Sequence, residues 1–275
     1  MTTPILALTL VLASAVGVHG QAQAPLEPDT VIVESGPLKL RGLLWRPVGR
    51  GPFPAVLFNH GSGAVADRKG PAILGATFAK HGYVFLYLYR RGAGLSATQG
   101  TNSGTLMSRA LKERGQKGRN EVQLQLLDIE LNDVIAGLDF LRARSDVDPR
   151  RVALAGHSFG GQLILLAAER HPNVRAAVAF GAAANSWDNS SLLQARLIAA
   201  VRRVSAPVFL IFAANDYSIA PGKALAAEMN RLGKTCTLEI YPAVGTTAAE
   251  GHDFVHRRVA TWESDVFAFL AEHLR

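Results

Sequence analysis

Eight short runs rich in apolar, β-branched or aromatic residues punctuate the chain: TVIVES, LKLRGLLWRP, PAVLFN, YVFLYLY, VALAGH, VRAAVAF, APVFLIFA and CTLEIYP. The middle ones are almost continuously apolar, as strands are when both faces of a parallel sheet are covered. Between the runs lie segments with helical patterning, at 71–81, roughly 120–143, 159–171, 191–203, 221–232 and 260–274. This order of strand, helix and strand predicts an α/β domain: about eight strands in a mostly parallel sheet, with helices on both faces. Only Gly36-Pro37 separates the first two runs, which predicts a hairpin and hence an antiparallel start to the sheet. Residues 92–119 read as a long polar connection rich in glycine and basic side chains, and such connections in compact domains are usually functional or mobile. About 25 residues separate VRAAVAF from APVFLIFA, room for one helix and short turns, so no large cap domain is expected. No repeat, low-complexity tract or interdomain linker interrupts residues 25–275, which are read as a single domain.

The first residues change the picture of location. Before Glu27 no side chain is charged, and Ile5–Val18 is apolar but shorter than the roughly 20 residues of a membrane-spanning helix. Small residues follow, as in a secretory signal. Residues 1–20 are therefore expected to be a signal peptide, with cleavage after Gly20 or as late as Ala24, and an exported product, periplasmic or secreted. An uncleaved anchor is the alternative. After cleavage no stable membrane insertion is expected.

Net charge is +7, yet the arginines are spread along the chain without aromatic interleaving, so no nucleic-acid partner is expected. The single cysteine, Cys236, excludes an internal disulfide and reads as core in TCTLEIY. Arg109, Lys112, Arg114, Lys117 and Arg119 are accompanied by Glu113 alone, a solvated face or an attractor for acidic substrates.

Chemistry enters at Gly156-His157-Ser158-Phe159-Gly160, between an apolar strand and the helical GQLILLAAER. In that context Gly-x-Ser-x-Gly is a nucleophile elbow: a tight turn projects Ser158 from the sheet edge, and its neighbours must be small. A serine hydroxyl needs a base. Partners follow such a serine in the order acid, then histidine. His252, in the glycine-bearing loop GTTAAEGHDF, is the candidate base. His171 ends a helix, His273 lies near the C-terminus, and His256 makes a His-x-x-x-His spacing that could also hold a metal. Asp216 follows the apolar run APVFLIFA on the rim where the elbow sits and is the candidate acid. The alternatives are a helix-capping role for Asp216 and Asp188 as acid in reserve. Backbone N–H groups of Phe159 and Ser62 are the expected oxyanion donors, with Gly63 as the alternative to Ser62, because Gly61 and Gly63 bare the backbone in PAVLFNHGSGA. His60 lies upstream of the serine and is read as structural. No metal or organic cofactor is called for.

Together, LRGLLWRP…GPFPAVLFNHGSG, YRRGAGLS, DPRRVALAGHSFGG, FAANDYSIAP and EGHDF resemble the α/β-hydrolase superfamily. They look closest to its dienelactone-hydrolase-like branch, which also resembles the catalytic domain of prolyl-oligopeptidase-type peptidases. The likeness spans about residues 30–275. It implies an eight-stranded, mostly parallel sheet and a Ser/Cys-Asp-His triad falling on Ser158, Asp216 and His252. Dienelactone hydrolases proper use cysteine where this elbow holds serine, and the propeller of the peptidases has no counterpart here. The expected function is an exported serine hydrolase acting on small carboxylic esters or lactones through an acyl-enzyme. The alternatives are a peptidase or amidase, or a binding module on a hydrolase fold. Oligomeric state is not legible.

Overall fold

The computed structural model describes residues 27–275, so the expected signal peptide lies outside the described residues. The order is β1 (Asp29–Ser35), β2 (Leu38–Trp45), β3 (Phe53–Asn59), α1 (Lys69–Lys80), β4 (Val84–Tyr89), α2 (Ser103–Arg142), β5 (Val147–His157), α3 (Phe159–Arg170), β6 (Ala177–Phe180), α4 (Ser191–Arg203), β7 (Val208–Ala213), α5 (Ala220–Arg231), β8 (Cys236–Tyr241), α6 (Ala248–His252), α7 (Phe254–Arg257) and α8 (Val259–His273). All eight expected strands form one sheet in the order β1-β2-β4-β3-β5-β6-β7-β8. β1 pairs antiparallel with β2 and β2 with β4, and every later pairing is parallel.

Alternation along each strand divides the core into two layers. On one face Leu57, Leu86, Leu88, Leu154, Leu210 and Phe212 meet α2, α3, α4 and α5. On the other, Val56, Phe58, Phe85, Tyr87, Val178 and Ile211 meet α1, α7 and α8. Fully buried Trp262 of α8 donates its indole N–H to the Val255 carbonyl at 3.2 Å, so its one polar group is satisfied inside the second layer. Between β6 and β7 the regular elements are a 3-10 turn at Trp187–Asn189 and α4, and no large cap is present among the described residues.

The segment 92–119 departs from the expected connection. After a 3-10 turn at Gly94–Gln99, α2 begins at Ser103, capped by Asn102, whose side chain accepts the Thr105 N–H at 2.9 Å. α2 is broken at Gly115, where φ is 65° and ψ −167°. Its first half is helical because Met107 and Ala110 face the core while Arg109, Lys112, Arg114 and Lys117 stay in water. So narrow an apolar stripe is hidden by polar composition. β5 also starts earlier than VALAGH, at Val147, where the Phe53 N–H bonds the Asp146 carbonyl at 2.8 Å.

Candidate active site

The turn from β5 into α3 puts Ser158 at φ 56°, ψ −115°, a conformation that costs an L-residue about 1–3 kcal/mol. Its N–H is tied to the Phe180 carbonyl at 2.8 Å. A Cβ on Gly160 would overlap the Asn59 carbonyl, and one on Gly161 would come 2.8 Å from the Ala182 methyl. Small neighbours are thus a steric condition of the turn.

Ser158 Oγ lies 2.8 Å from His252 Nε2, and His252 Nδ1 lies 2.7 Å from Asp216 Oδ1. The carboxylate only accepts, so Nδ1–H donates to it and the Nε2 lone pair faces the serine hydroxyl. Asp216 Oδ1 also accepts the Tyr217 N–H at 2.7 Å. α5 starts at Ala220 with no side-chain cap, so Asp216 is spent on the histidine rather than on the helix. Asp188 is exposed in its 3-10 turn.

His252 is not in a loop but is the last residue of α6. That helix is one turn long and is nucleated by a capping box in which Thr247 and Glu250 exchange side-chain-to-backbone bonds. His256 belongs to the separate helix α7 rather than to the last helix, so the two histidines do not share one helical face. Among the described residues no group of three or more His, Cys, Asp or Glu side chains is arranged to hold a metal ion.

Ser62, Gly63 and Phe159 line the same cavity as Ser158 and His252, with a volume of about 370 Å³. Among the described residues no backbone carbonyl accepts the Ser62 or Phe159 N–H. Val65, Tyr87 and Met107 form apolar wall, while Gln123, Gln162 and Arg119 form a polar one. Arg119 alone of the α2 cations lines this cavity, and it donates to Gln123 Oε1 at 3.3 Å and Ser186 Oγ at 3.4 Å. Among the described residues it has no carboxylate partner, and burial lowers its pKa. Cys236 begins β8 away from this cavity, and burial pushes its thiol up to about 11.

Six residues that position the site were not singled out for that role from sequence. His157 donates Nε2–H to the His252 carbonyl at 2.8 Å and packs its ring 4.7 Å from that of His252. Burial, then neighbouring His252 and His256, hold its pKa well below the ordinary value. Buried His60 is structural as expected, donating Nδ1–H to the Gly61 carbonyl at 2.7 Å; burial and Arg90 hold its pKa well below the ordinary value too. Gly181, at φ 54°, leaves room for the Asp216–His252 pair. Asn215 accepts the Val244 N–H at 2.9 Å and donates to the Val244 and Thr247 carbonyls at 3.0 and 2.9 Å. Arg90 pairs with Glu130 at 2.7 Å, both wholly inside. Sequence carried a signal for one of these: Glu130 is a charge among Leu126, Leu127 and Leu131, a buried-stripe position that demands a cationic partner.

Comparison with known proteins supplies family and fold. Residues 40–273 match the model of the Dienelactone hydrolase family. A Bacillus subtilis protein named "Putative hydrolase YtaP" is 34% identical over 116 residues, 40% of this chain and 37% of that protein's own length. A Methylorubrum extorquens protein named "Putative carboxymethylenebutenolidase" is 26% identical over 249 residues, 88% of this chain and 76% of its own. Among solved structures, a dienelactone hydrolase from Anabaena variabilis superposes with a TM-score of 0.64 at 19% identity, covering 91% of this chain and all of that one.

Proposed function

The chain belongs to the dienelactone hydrolase family, and from that premise we propose that it is an exported serine hydrolase that cleaves carboxylic esters or lactones through an acyl-enzyme on Ser158. The carrying observation is the unbroken chain of bonds from Ser158 Oγ through the His252 ring to Asp216, at 2.8 and 2.7 Å.

The chemistry follows from the proton positions. Ser158 Oγ bonds to the ester carbonyl carbon as its proton passes to His252 Nε2, and the carbonyl oxygen becomes an oxyanion. Asp216 holds the resulting imidazolium in orientation and offsets its charge. The Ser62 and Phe159 amides bind the oxyanion, helped by the positive end of α3. The carbon–oxygen bond to the leaving group then breaks, and His252 returns the proton to that oxygen. Water repeats the sequence on the acyl-enzyme, with His252 again as base, and Ser158 leaves with its proton restored. In a lactone the leaving oxygen stays tethered until this second half.

Arg119 supports a preference for substrates that carry a negative charge, because a half-buried guanidinium without a carboxylate partner gains most from an anion. Export is supported by the uncharged, apolar start of the sequence.

The test is hydrolysis of paired short esters, neutral and carboxylate-bearing, by the wild-type chain and by Ser158→Ala, with fluorophosphonate labelling followed by mass spectrometry. The expected result is a phosphonyl adduct on Ser158, turnover lower by a factor of about 10⁴ or more in Ser158→Ala, and a lower KM for the anionic ester. Full turnover by Ser158→Ala would overturn the reading, and an unlabelled Ser158 would favour a binding module instead.

A further inference from the structure

The acyl-enzyme cycle leaves one charged group beside the cavity without a task. Arg90, at the carboxyl end of β4, is wholly buried, and its Nε donates to Glu130 Oε2 of α2 at 2.7 Å. Its Nη2 donates to the Gly61 carbonyl at 3.0 Å. The same carbonyl takes the His60 Nδ1–H bond at 2.7 Å, and His60 is held in that tautomer because its Nε2 accepts the Arg90 backbone N–H at 3.1 Å. Side chain and backbone of one residue therefore fix the Gly61 carbonyl, directly and through His60.

The peptide that begins with this carbonyl ends with the Ser62 N–H. A planar trans peptide points its C=O and N–H in opposite directions. Two bonds that hold the carbonyl toward the Arg90 guanidinium and the His60 Nδ1 accordingly turn the Ser62 N–H away from those two donors, and Ser62 lines the cavity that holds Ser158. The guanidinium carbon also lies 5.7 Å from the centre of the Phe159 ring, the residue that carries the second amide.

Stability alone is a poor reason for this arrangement. Burying both ions costs several kcal/mol each, and well-packed apolar side chains usually hold such a position as well or better. Arg90 Nη1 and Glu130 Oε1 also have no hydrogen-bond partner among the described residues. What apolar side chains lack is a donor for the Gly61 carbonyl.

We infer that Arg90 is a positioning residue for the oxyanion hole: its guanidinium, held by Glu130, braces the Ser62 amide through the Gly61 carbonyl and the Phe159 amide through that residue's ring. The inference rests on the acyl-enzyme reading above.

Two variants test it, Arg90→Met and the double variant Arg90→Met/Glu130→Met. The first strands a buried carboxyl and is expected to lose Tm. The second replaces the ion pair with apolar side chains and is expected to keep Tm near wild type. In the folded fraction of both, kcat should fall about 10- to 100-fold with KM within about twofold. The inhibition constant of a trifluoromethyl ketone, which becomes tetrahedral on Ser158, should weaken by the same factor as kcat falls. A role in folding alone predicts that kcat and ketone affinity recover with Tm in the double variant, and that recovery would overturn the inference. If Ser158→Ala is inactive while the double variant turns over at the wild-type rate, the assignment of Arg90 fails and the acyl-enzyme reading stands. Activity in Ser158→Ala would remove the reading itself.

Discussion

A Cβ on Gly181 would come 2.9 Å from Asp216 Oδ2 and 3.1 Å from His252 Nδ1. Gly181→Ala therefore sets a methyl against the two groups that must stay 2.7 Å apart. The left-handed backbone at φ 54° costs alanine about 1–2 kcal/mol, a Tm loss of roughly 2–8 °C in a chain of this size. Displacement of the pair costs more: kcat for ester hydrolysis should fall about 100-fold. Steady-state kinetics beside a melting curve checks this, and wild-type kcat in a folded Gly181→Ala chain would show that the pair yields to the methyl. The grouping of Ser158, Asp216 and His252 was legible because Ser158 and Asp216 follow strand ends on one rim and His252 comes after the last strand, although the one-turn helix that carries His252 was not. Gly181 was not, since nothing in GAAANSW says which carboxylate will stand over it. His157 was masked by its position as the variable residue of the elbow, where sequence gives no hint of a bond to a carbonyl 95 residues away.

Gly115 decides the path of α2. At φ 65° and ψ −167° it occupies a region that is essentially closed to side chains, although no atom lies within 4 Å of where its Cβ would be. The cost of Gly115→Ala is therefore conformational rather than steric, about 1–3 kcal/mol, and should appear in urea unfolding as a lower midpoint with an unchanged slope. An unchanged midpoint would mean that the break relaxes into continuous helix at no cost. The first half of α2 also exposes the limit of periodicity as a signal. Strands betrayed themselves by dense apolar runs, whereas residues 103–119 bury only an intermittent stripe between many cations. That missed half carries Arg119, the one cation that turns toward the cavity. A polar segment can thus be a helix and part of a site at once.

For the whole molecule, acid stability follows from the buried histidines. His60, facing Arg90, and His157, facing His252 and His256, stay neutral in the fold because burial holds their pKa values well below 6.5. The unfolded chain protonates them near 6.5, so below that pH it binds protons the folded chain does not, and stability falls. Each contributes up to about 1.4 kcal/mol per pH unit between 6.5 and its folded pKa. Buried Glu130, raised by desolvation, acts in the opposite sense, and its protonation favours the fold at lower pH. Melting curves from pH 7 to 5 should show a decline that is shallower in His157→Gln, and an equal slope in that variant would contradict the assignment. At this scale the sequence disclosed eight strands and the hairpin start, since these are local patterns. It could not disclose that β4 inserts between β2 and β3, because strand order depends on which edges are left to pair. One global property is mechanical. Asn215 ties the turn that bears Asp216 to the segment leading into α6, and Ser158 is fixed to the sheet through Phe180. His157, beside the nucleophile, holds the His252 carbonyl. The base is therefore a keystone, anchored on one side to the turn of its acid and on the other to the elbow of the serine whose proton it takes.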